Sequence, residues 1–135
     1  MSALRVLLDT NIVSSVMRDP EGVVAKRLGE FEFGEVGISV IVLSELRYGI
    51  TKRGSLRLEF QLDFLTKRIV CLPFDAAAAA SYAKVRTELE HAGTPIGPLD
   101  TFIAAHALAL ELPLATHNVR EFARVPNLRV ENWLD

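Results

Sequence analysis

Apolar and polar residues alternate in blocks along the chain, and these blocks predict strands separated by helices. Short apolar runs at Leu4–Leu8, Val36–Ser39, Ile69–Leu72 and Leu114–Thr116 have the length and composition of buried strands. A final edge strand is expected at Leu128–Val130. Strands that alternate with helices form a parallel sheet covered on both faces. We therefore expect an α/β fold, a three-layer α/β/α sandwich around a mostly parallel sheet of four to five strands.

The segments between these strands carry helical signals. Ser39 begins a predicted helix that runs to about Ile50, and Ser55–Lys67 has apolar residues at helical spacing. Asp75 is a suitable N-cap for the alanine-rich run that follows it, and Pro98 suits the first position of the next helix. Shorter helices are expected at Ile12–Met17, Val23–Phe31 and Val119–Arg124.

Composition indicates a small intracellular domain. A length of 135 residues predicts one domain spanning residues 1–135, and Cys71 is the only cysteine, which fits the reducing cytoplasm. The longest apolar stretch, Phe102–Leu110, contains His106 and is shorter than a membrane-spanning helix requires. We therefore expect a soluble, cytoplasmic protein with no membrane association.

The net charge of −2 is unlike that of a protein that coats nucleic acid, which usually has a basic excess. It is compatible with a nuclease, because an acidic metal site lowers the net charge while bound cations restore positive potential locally. Two basic clusters are interpreted as solvated helix faces: Lys52, Arg53 and Arg57, and Arg120, Arg124 and Arg129.

Two carboxylates occupy positions that suggest chemistry. Asp9 follows the first strand, and ligands of parallel sheets bind beyond the carboxyl ends of strands, although a helix cap is the alternative. Glu45 has Ile41, Val42 and Tyr48 as helical neighbours, so its carboxylate is expected to face the protein. Because burying an unpaired carboxylate is costly, either a metal or a distant arginine must compensate it.

A third carboxylate, Asp100, lies in the first turn of a very apolar helix. The helix dipole alone could explain an acid at this position. Together, however, the three acids supply the oxygen ligands that hard divalent ions prefer. Such ions activate water and neutralise the charge that develops on a phosphodiester.

No other catalytic arrangement is apparent in the sequence. His91, His106 and His117 lack metal-binding spacing. We expect His106 to be buried with a hydrogen-bond partner and His117 to lie near the cleft. There is also no nucleophile elbow and no P-loop.

Four segments in the correct order resemble those of PIN-domain ribonucleases of the VapC toxin type, and the resemblance covers essentially the whole chain. The segments are Leu7–Ile12, Ser39–Gly49, Gly93–His106 and Thr116–Pro126, the last followed by Glu131-Asn-Trp133.

The resemblance implies a PIN-like sandwich and a metal-dependent endoribonuclease. The metal-binding and catalytic acids of the family correspond to Asp9, Glu45 and Asp100. Its fourth acidic position is occupied here by Asn118, which can bind a metal or orient a water but adds no charge. One Mg²⁺ or Mn²⁺ is therefore expected, and a second would be bound more weakly.

Further residues take roles by the same resemblance. Thr10, Asn11, Thr116 and Asn118 are expected to support the metal site. Glu121 is the nearest acid that could help there, but it is interpreted as a solvent-facing residue on a short helix. The residues expected to position the RNA backbone are Lys84, Arg86 and Arg120.

The resemblance also implies partners: a VapB-like antitoxin, a second copy in a homodimer, and an RNA substrate such as a tRNA. Apolar helix faces are candidates for these contacts, with core packing as the alternative for each residue: Leu28, Phe31, Leu56, Phe60 and Phe64.

Two other interpretations remain open from the sequence. One is a non-catalytic RNA-binding or antitoxin-binding module with the PIN fold, because the fourth acid is missing. The other is a receiver-like signalling domain, which would need a lysine near its last strand, where this chain has His117.

Overall fold

The computed structural model describes residues 3–134, and these form a central parallel sheet. Its spatial order is β3-β2-β1-β4-β5, with every neighbouring pair parallel. This confirms the predicted mostly parallel sheet. The strands are β1 (Val6–Leu8), β2 (Val36–Ser39), β3 (Val70–Leu72), β4 (Leu114–Ala115) and β5 (Val130–Glu131).

The helices lie close to their predicted positions because their caps were readable. Asp75 accepts a hydrogen bond from the Ala78 amide at 3.0 Å, and Pro98 occupies the first turn of its helix. Gly54 ends the helix Val40–Arg53 with a left-handed φ of 64°, which glycine adopts without strain. The helices are α1 (Thr10–Arg18), α2 (Val23–Gly29), α3 (Val40–Arg53), α4 (Leu56–Thr66), α5 (Ala76–His91), α6 (Pro98–Leu110) and α7 (Val119–Phe122).

The topology places two polar residues side by side at the centre of the sheet. The chain builds outward from β1 to β2 and β3, then returns to add β4 on the other side of β1. Leu8 and Ala115 are register partners, so Asp9 and Thr116 emerge together. This is the switch point at which open parallel sheets bind ligands.

The hydrophobic core fixes these strand ends in place. β1 is buried along its whole length, and Ile12 from α1 and Ile103 from α6 have no exposed surface. Trp133 is also fully buried, and its ring stacks on Phe31 at a centroid distance of 5.5 Å. This stack ties the last described segment of the chain to the region after α2.

The core-packing interpretation of α4 is wrong for three residues. Leu56, Phe60 and Phe64 are 70–74 % exposed, whereas Leu62 is fully buried. The helix carries apolar residues on more than one side, so spacing alone did not identify the inward face. Of the remaining candidates, Leu28 is buried in the core and Phe31 is half-buried against it.

Within residues 3–134, no helix has the length and apolar character needed to cross a membrane.

Candidate active site

Asp9 lies at the centre of the site, where β1 ends and α1 begins. It is 4 % exposed. Its Oδ1 accepts a hydrogen bond from the Thr10 amide at 2.8 Å, and its Oδ2 accepts one from Thr116 Oγ1 at 2.7 Å. Burial raises the pKa of Asp9, and the charges of Glu45 and Glu121 add to this effect. The residue therefore both caps α1 and presents a carboxylate at the switch point.

Glu45 approaches Asp9 from α3. Thr10 Oγ1 donates a 2.8 Å hydrogen bond to Glu45 Oε1, which joins the two carboxylates through one residue. The side chain is half-buried, and within the described residues it forms no ion pair with an arginine: Arg47 instead pairs with Asp63 at 3.0 Å. Tyr48 is 66 % exposed, so the apolar stripe expected around Glu45 is incomplete.

Asp100, at the start of α6, shares a hydrogen bond with Glu121 on α7. Burial, this hydrogen bond and the charges of Glu121, Asp9 and Glu45 raise the pKa of Asp100 to about 8. The same hydrogen bond is the main cause of a lowered pKa at Glu121. One proton is thus held on Asp100 and donated to Glu121, and the charges of the other three acids all act on Asp100.

Glu121 corrects an expectation from the sequence, because it faces the site and not solvent. It is half-buried, and its Oε1 accepts a hydrogen bond from the Gly97 amide at 3.1 Å. Its Oε2 accepts one from Asn118 Nδ2 at 2.6 Å. Asn118 therefore directs its amide toward a fourth acid. One sequence signal could have indicated this contact: Asn118 and Glu121 are three residues apart, which places both on one side of the first turn of α7.

Polar residues at the strand ends form a hydrogen-bond network around Asp9. Asn11 Nδ2 lies 3.3 Å from Asp9 Oδ2 and 3.4 Å from Thr116 Oγ1, and Asn11 Oδ1 accepts from the His117 amide at 3.1 Å. Thr116 Oγ1 also accepts from the Asn118 amide at 3.0 Å. The structure therefore brings together the four polar residues singled out in the sequence.

His106 connects the helices that carry Asp100 and Glu45. It is 1 % exposed, and its Nδ1 lies 2.7 Å from the hydroxyl of Ser39, the N-cap of α3. Burial lowers the pKa of His106, which favours the neutral ring, and this ring shares a hydrogen bond with the Ser39 hydroxyl. This residue is buried with a partner, as predicted.

The donor chemistry of the four acids fits a hard divalent cation. Within residues 3–134, no acidic, histidine or cysteine side chains form a ready-made metal site, and none of the four acids takes part in an ion pair. Burial, the hydrogen bond with Glu121 and the charges of the neighbouring acids instead keep a proton on Asp100. Carboxylate oxygens are the ligands that Mg²⁺ and Mn²⁺ prefer.

The basic residues expected to position RNA do not converge on these acids. Lys84 and Arg86 are exposed on α5, and Arg86 pairs with Glu90 at 3.3 Å. Arg120 is exposed on α7, next to Glu121 in the sequence. Their contact with RNA stays a prediction.

Comparison with known proteins agrees with this architecture. The PIN domain family model matches residues 6–128. Ribonuclease VapC2 of Rickettsia felis is 38% identical over 129 residues, covering 94% of this chain and 96% of the relative. The tRNA(fMet)-specific endonuclease VapC of Shigella flexneri is 37% identical over 131 residues, covering 96% and 98%. The chain therefore belongs to the PIN-domain family, among its VapC ribonucleases.

A solved structure shows the same fold. The crystal structure of VapBC2 from Rickettsia felis, bound to a DNA fragment from its promoter, contains a chain that superposes with a TM-score of 0.88. That chain is 36% identical, and the match covers 96% of this chain and 99% of the other. These similarities to PIN domains overturn the receiver-like interpretation.

Proposed function

We propose that this protein is the toxin of a type II toxin–antitoxin pair and that it hydrolyses RNA phosphodiester bonds with the help of a divalent cation. The observation that carries the proposal is a set of four neighbouring carboxylates at the switch point of a PIN-domain sheet: Asp9, Glu45, Asp100 and Glu121. The relatives named as ribonucleases support the same reaction.

The same four acids are the proposed ligands of Mg²⁺ or Mn²⁺. When bound, such an ion activates water and neutralises charge that develops on the phosphodiester. Glu121 supplies the negative charge that Asn118 lacks, while Asn118 holds Glu121 in position. The position of Glu121 supports the catalytic proposal over the non-catalytic alternative, and one firmly bound ion remains our proposal.

The surrounding residues prepare the acids for this task. Thr10 and Thr116 donate to Glu45 and Asp9, which orients those carboxylates before a cation or RNA arrives. The proton shared by Asp100 and Glu121 must leave when a cation binds, because a protonated carboxyl is a poor ligand. Cation binding is therefore expected to strengthen as the pH rises.

The proposed substrate is a structured RNA in the cytoplasm, with tRNA as the first candidate. The Shigella flexneri relative is named as specific for tRNA(fMet). The excess of acidic charge at the site means that RNA binding requires either the cation or nearby arginines to offset repulsion.

An apolar groove between α1, α2 and α4 is the proposed docking site of a VapB-like antitoxin. The groove has a volume of about 410 Å³ and includes Met17, Leu28, Phe60 and Phe64. Phe60 and Phe64 are each 74 % exposed, which is a large apolar surface to leave in water. An amphipathic helix laid into such a groove would cover them. The similar Rickettsia felis structure is a VapBC complex. A homodimer remains a further expectation.

A growth assay tests the proposal in cells. Induced expression of the wild-type chain should arrest growth, and co-expression of the neighbouring gene should restore it. Asp100→Asn should be harmless at equal protein levels. Arrest by the Asp100→Asn variant would favour a non-catalytic binding module instead.

A further inference from the structure

The cleft beside Glu45 changes from acidic to basic along its length. It has a volume of about 290 Å³ and lies between α1, α3 and the start of α4. Two helices supply its polar lining with the same spacing. α1 contributes Thr10, Ser14 and Arg18, and α3 contributes Glu45, Gly49 and Arg53.

The spacing gives the cleft a direction. Residues four apart lie on one face of a helix, so each set of three forms a line along its helix. Eight residues span about 12 Å of helix axis. Both lines start at the acidic site, where Thr10 donates to Glu45, and both end at an arginine.

The two arginines have no acidic partner in the described part of the chain. Ion pairs there involve Arg5, Arg47 and Arg86, but neither Arg18 nor Arg53. Both side chains are exposed at the cleft. A planar guanidinium without a partner is well suited to bind a phosphate through paired hydrogen bonds.

We propose that Arg18 and Arg53 bind backbone phosphates of the RNA strand as it leaves the acidic site along this cleft. This inference rests on the proposed ribonuclease function. The acidic end handles the bond to be cleaved, and the arginines hold phosphates further along the strand. Apolar side chains such as Leu46 and Leu58 supply a wall for a ribose or a base.

Gly49 keeps the cleft open between its two ends. Apart from its chain neighbours and the backbone of its own helix, a Cβ atom added at this position would have no atom within 4 Å, so the space above the glycine is free. Glycine inside a helix is otherwise unfavourable compared with leucine or alanine. The need for space explains its presence in α3.

The charge pattern favours RNA over the antitoxin as the occupant of this cleft. The neighbouring groove with Phe60 and Phe64 is mainly apolar and suits a helix. The cleft instead has Glu45 at one end and two arginines, each eight residues further along its helix, at the other. This is the arrangement expected for a phosphate-rich chain approaching a cation site.

Binding measurements with a cleavage-inactive protein test the proposal. Affinity for a fluorescein-labelled RNA oligonucleotide that contains the cleaved bond is measured by anisotropy in an Asp100→Asn background. Arg18→Gln and Arg53→Gln should each weaken binding about tenfold and reduce the salt slope by about 0.7. Arg57→Gln is the matched control. It removes an exposed charge from α4 outside the cleft and should change affinity less than about twofold.

Two further measurements test where the RNA contacts the cleft. A methylphosphonate that neutralises one phosphate should weaken binding to the parent protein but have little further effect in Arg53→Gln, because the same contact is already lost. Gly49→Leu should keep or raise the melting temperature, since leucine favours helix, and should weaken RNA binding at least tenfold by filling the cleft.

The outcomes separate this inference from the proposed function. Failure of the wild-type chain to cleave any RNA would overturn both. Cleavage by the wild type with unchanged RNA affinity in Arg18→Gln and Arg53→Gln would overturn the phosphate role alone. Equal losses in Arg57→Gln, or losses confined to antitoxin affinity, would also overturn it.

Discussion

Asp100 and Glu121 share a hydrogen bond across the gap between α6 and α7, and a proton resides on Asp100 with its pKa raised to about 8. Near neutral pH, the pair therefore carries one negative charge instead of two. A cation that binds there competes with this proton. The relationship links the stability of the protein, its affinity for metal and the pH.

Stability without divalent ions should fall as the pH rises from about 5 to about 8. In this window the folded protein holds a proton on Asp100 that the unfolded chain, with its ordinary carboxyl pKa near 3.8, has released. The stabilising effect of that proton is present at low pH and is lost as the pH passes the folded pKa. The raised pKa of Asp9 acts in the same direction. Urea unfolding in EDTA across this range measures the trend.

Asp100→Asn is the control for the pH experiment. The amide cannot titrate, so the dependence of unfolding free energy on pH should become flatter than in the wild type. The lowered pKa of Glu121 acts only below its ordinary value of 4.5 and does not disturb the window. Equal slopes in the two proteins would contradict the shared proton.

Glu121 should matter more for metal binding than Asn118. Glu121→Gln removes a carboxylate and should weaken Mn²⁺ binding by about tenfold or more, since contacts to charged groups are worth roughly 1.5–3 kcal/mol. Asn118→Ala should cost less, because the Gly97 amide still holds Glu121. Calorimetric titration with Mn²⁺ measures both. A larger loss in Asn118→Ala would show that the asparagine is itself the ligand.

Substitution of the exposed phenylalanines of α4 should weaken antitoxin binding and leave RNA cleavage unchanged. The double substitution Phe60→Ser with Phe64→Ser should weaken antitoxin binding by at least about 30-fold, because buried aromatic anchors contribute roughly 2 kcal/mol or more. RNA cleavage should be unchanged. Leu56→Ser, on the same helix but outside the groove, is the matched control. Surface plasmon resonance with the neighbouring gene product measures binding, and an equal loss in Leu56→Ser would argue against the groove.

The aromatic stack at the end of the chain should contribute to stability. Phe31→Leu removes the partner of Trp133 while keeping an apolar side chain, and should lower the free energy of unfolding by about 1–2 kcal/mol. Trp133 is the only tryptophan, so its fluorescence reports urea unfolding of this variant directly. An unchanged midpoint would mean that the stack adds nothing beyond burial.

The sequence was most informative where one residue type has one structural role. Cap residues such as Asp75 and Pro98 located the helices, because each satisfies a backbone requirement that few residues meet. The parallel sheet followed from alternating strands and helices. The functional position of Asp9 could also be predicted, because ligands of open parallel sheets bind beyond the carboxyl ends of strands.

Other features depended on distant parts of the chain. Glu121 looked like a surface residue, since its contacts with Gly97 and Asp100 come from another helix start. The exposure of Phe60 and Phe64 could not be predicted either, because helical spacing does not show which of two apolar sides faces the core. Arg53 belonged to a basic cluster, and only the packing of α1 against α3 turned it toward a cleft.

Cleavage of RNA by the purified protein, with and without a divalent cation, tests the account most directly. A tRNA mixture incubated with wild-type protein and Mg²⁺ or Mn²⁺ should be cut at discrete bonds, and EDTA should abolish the cuts. Asp9→Asn, which keeps an acceptor for the Thr10 amide and therefore the cap of α1, should stay folded and inactive. Cleavage that persists in EDTA, or in folded Asp9→Asn, would contradict a cation-dependent carboxylate site.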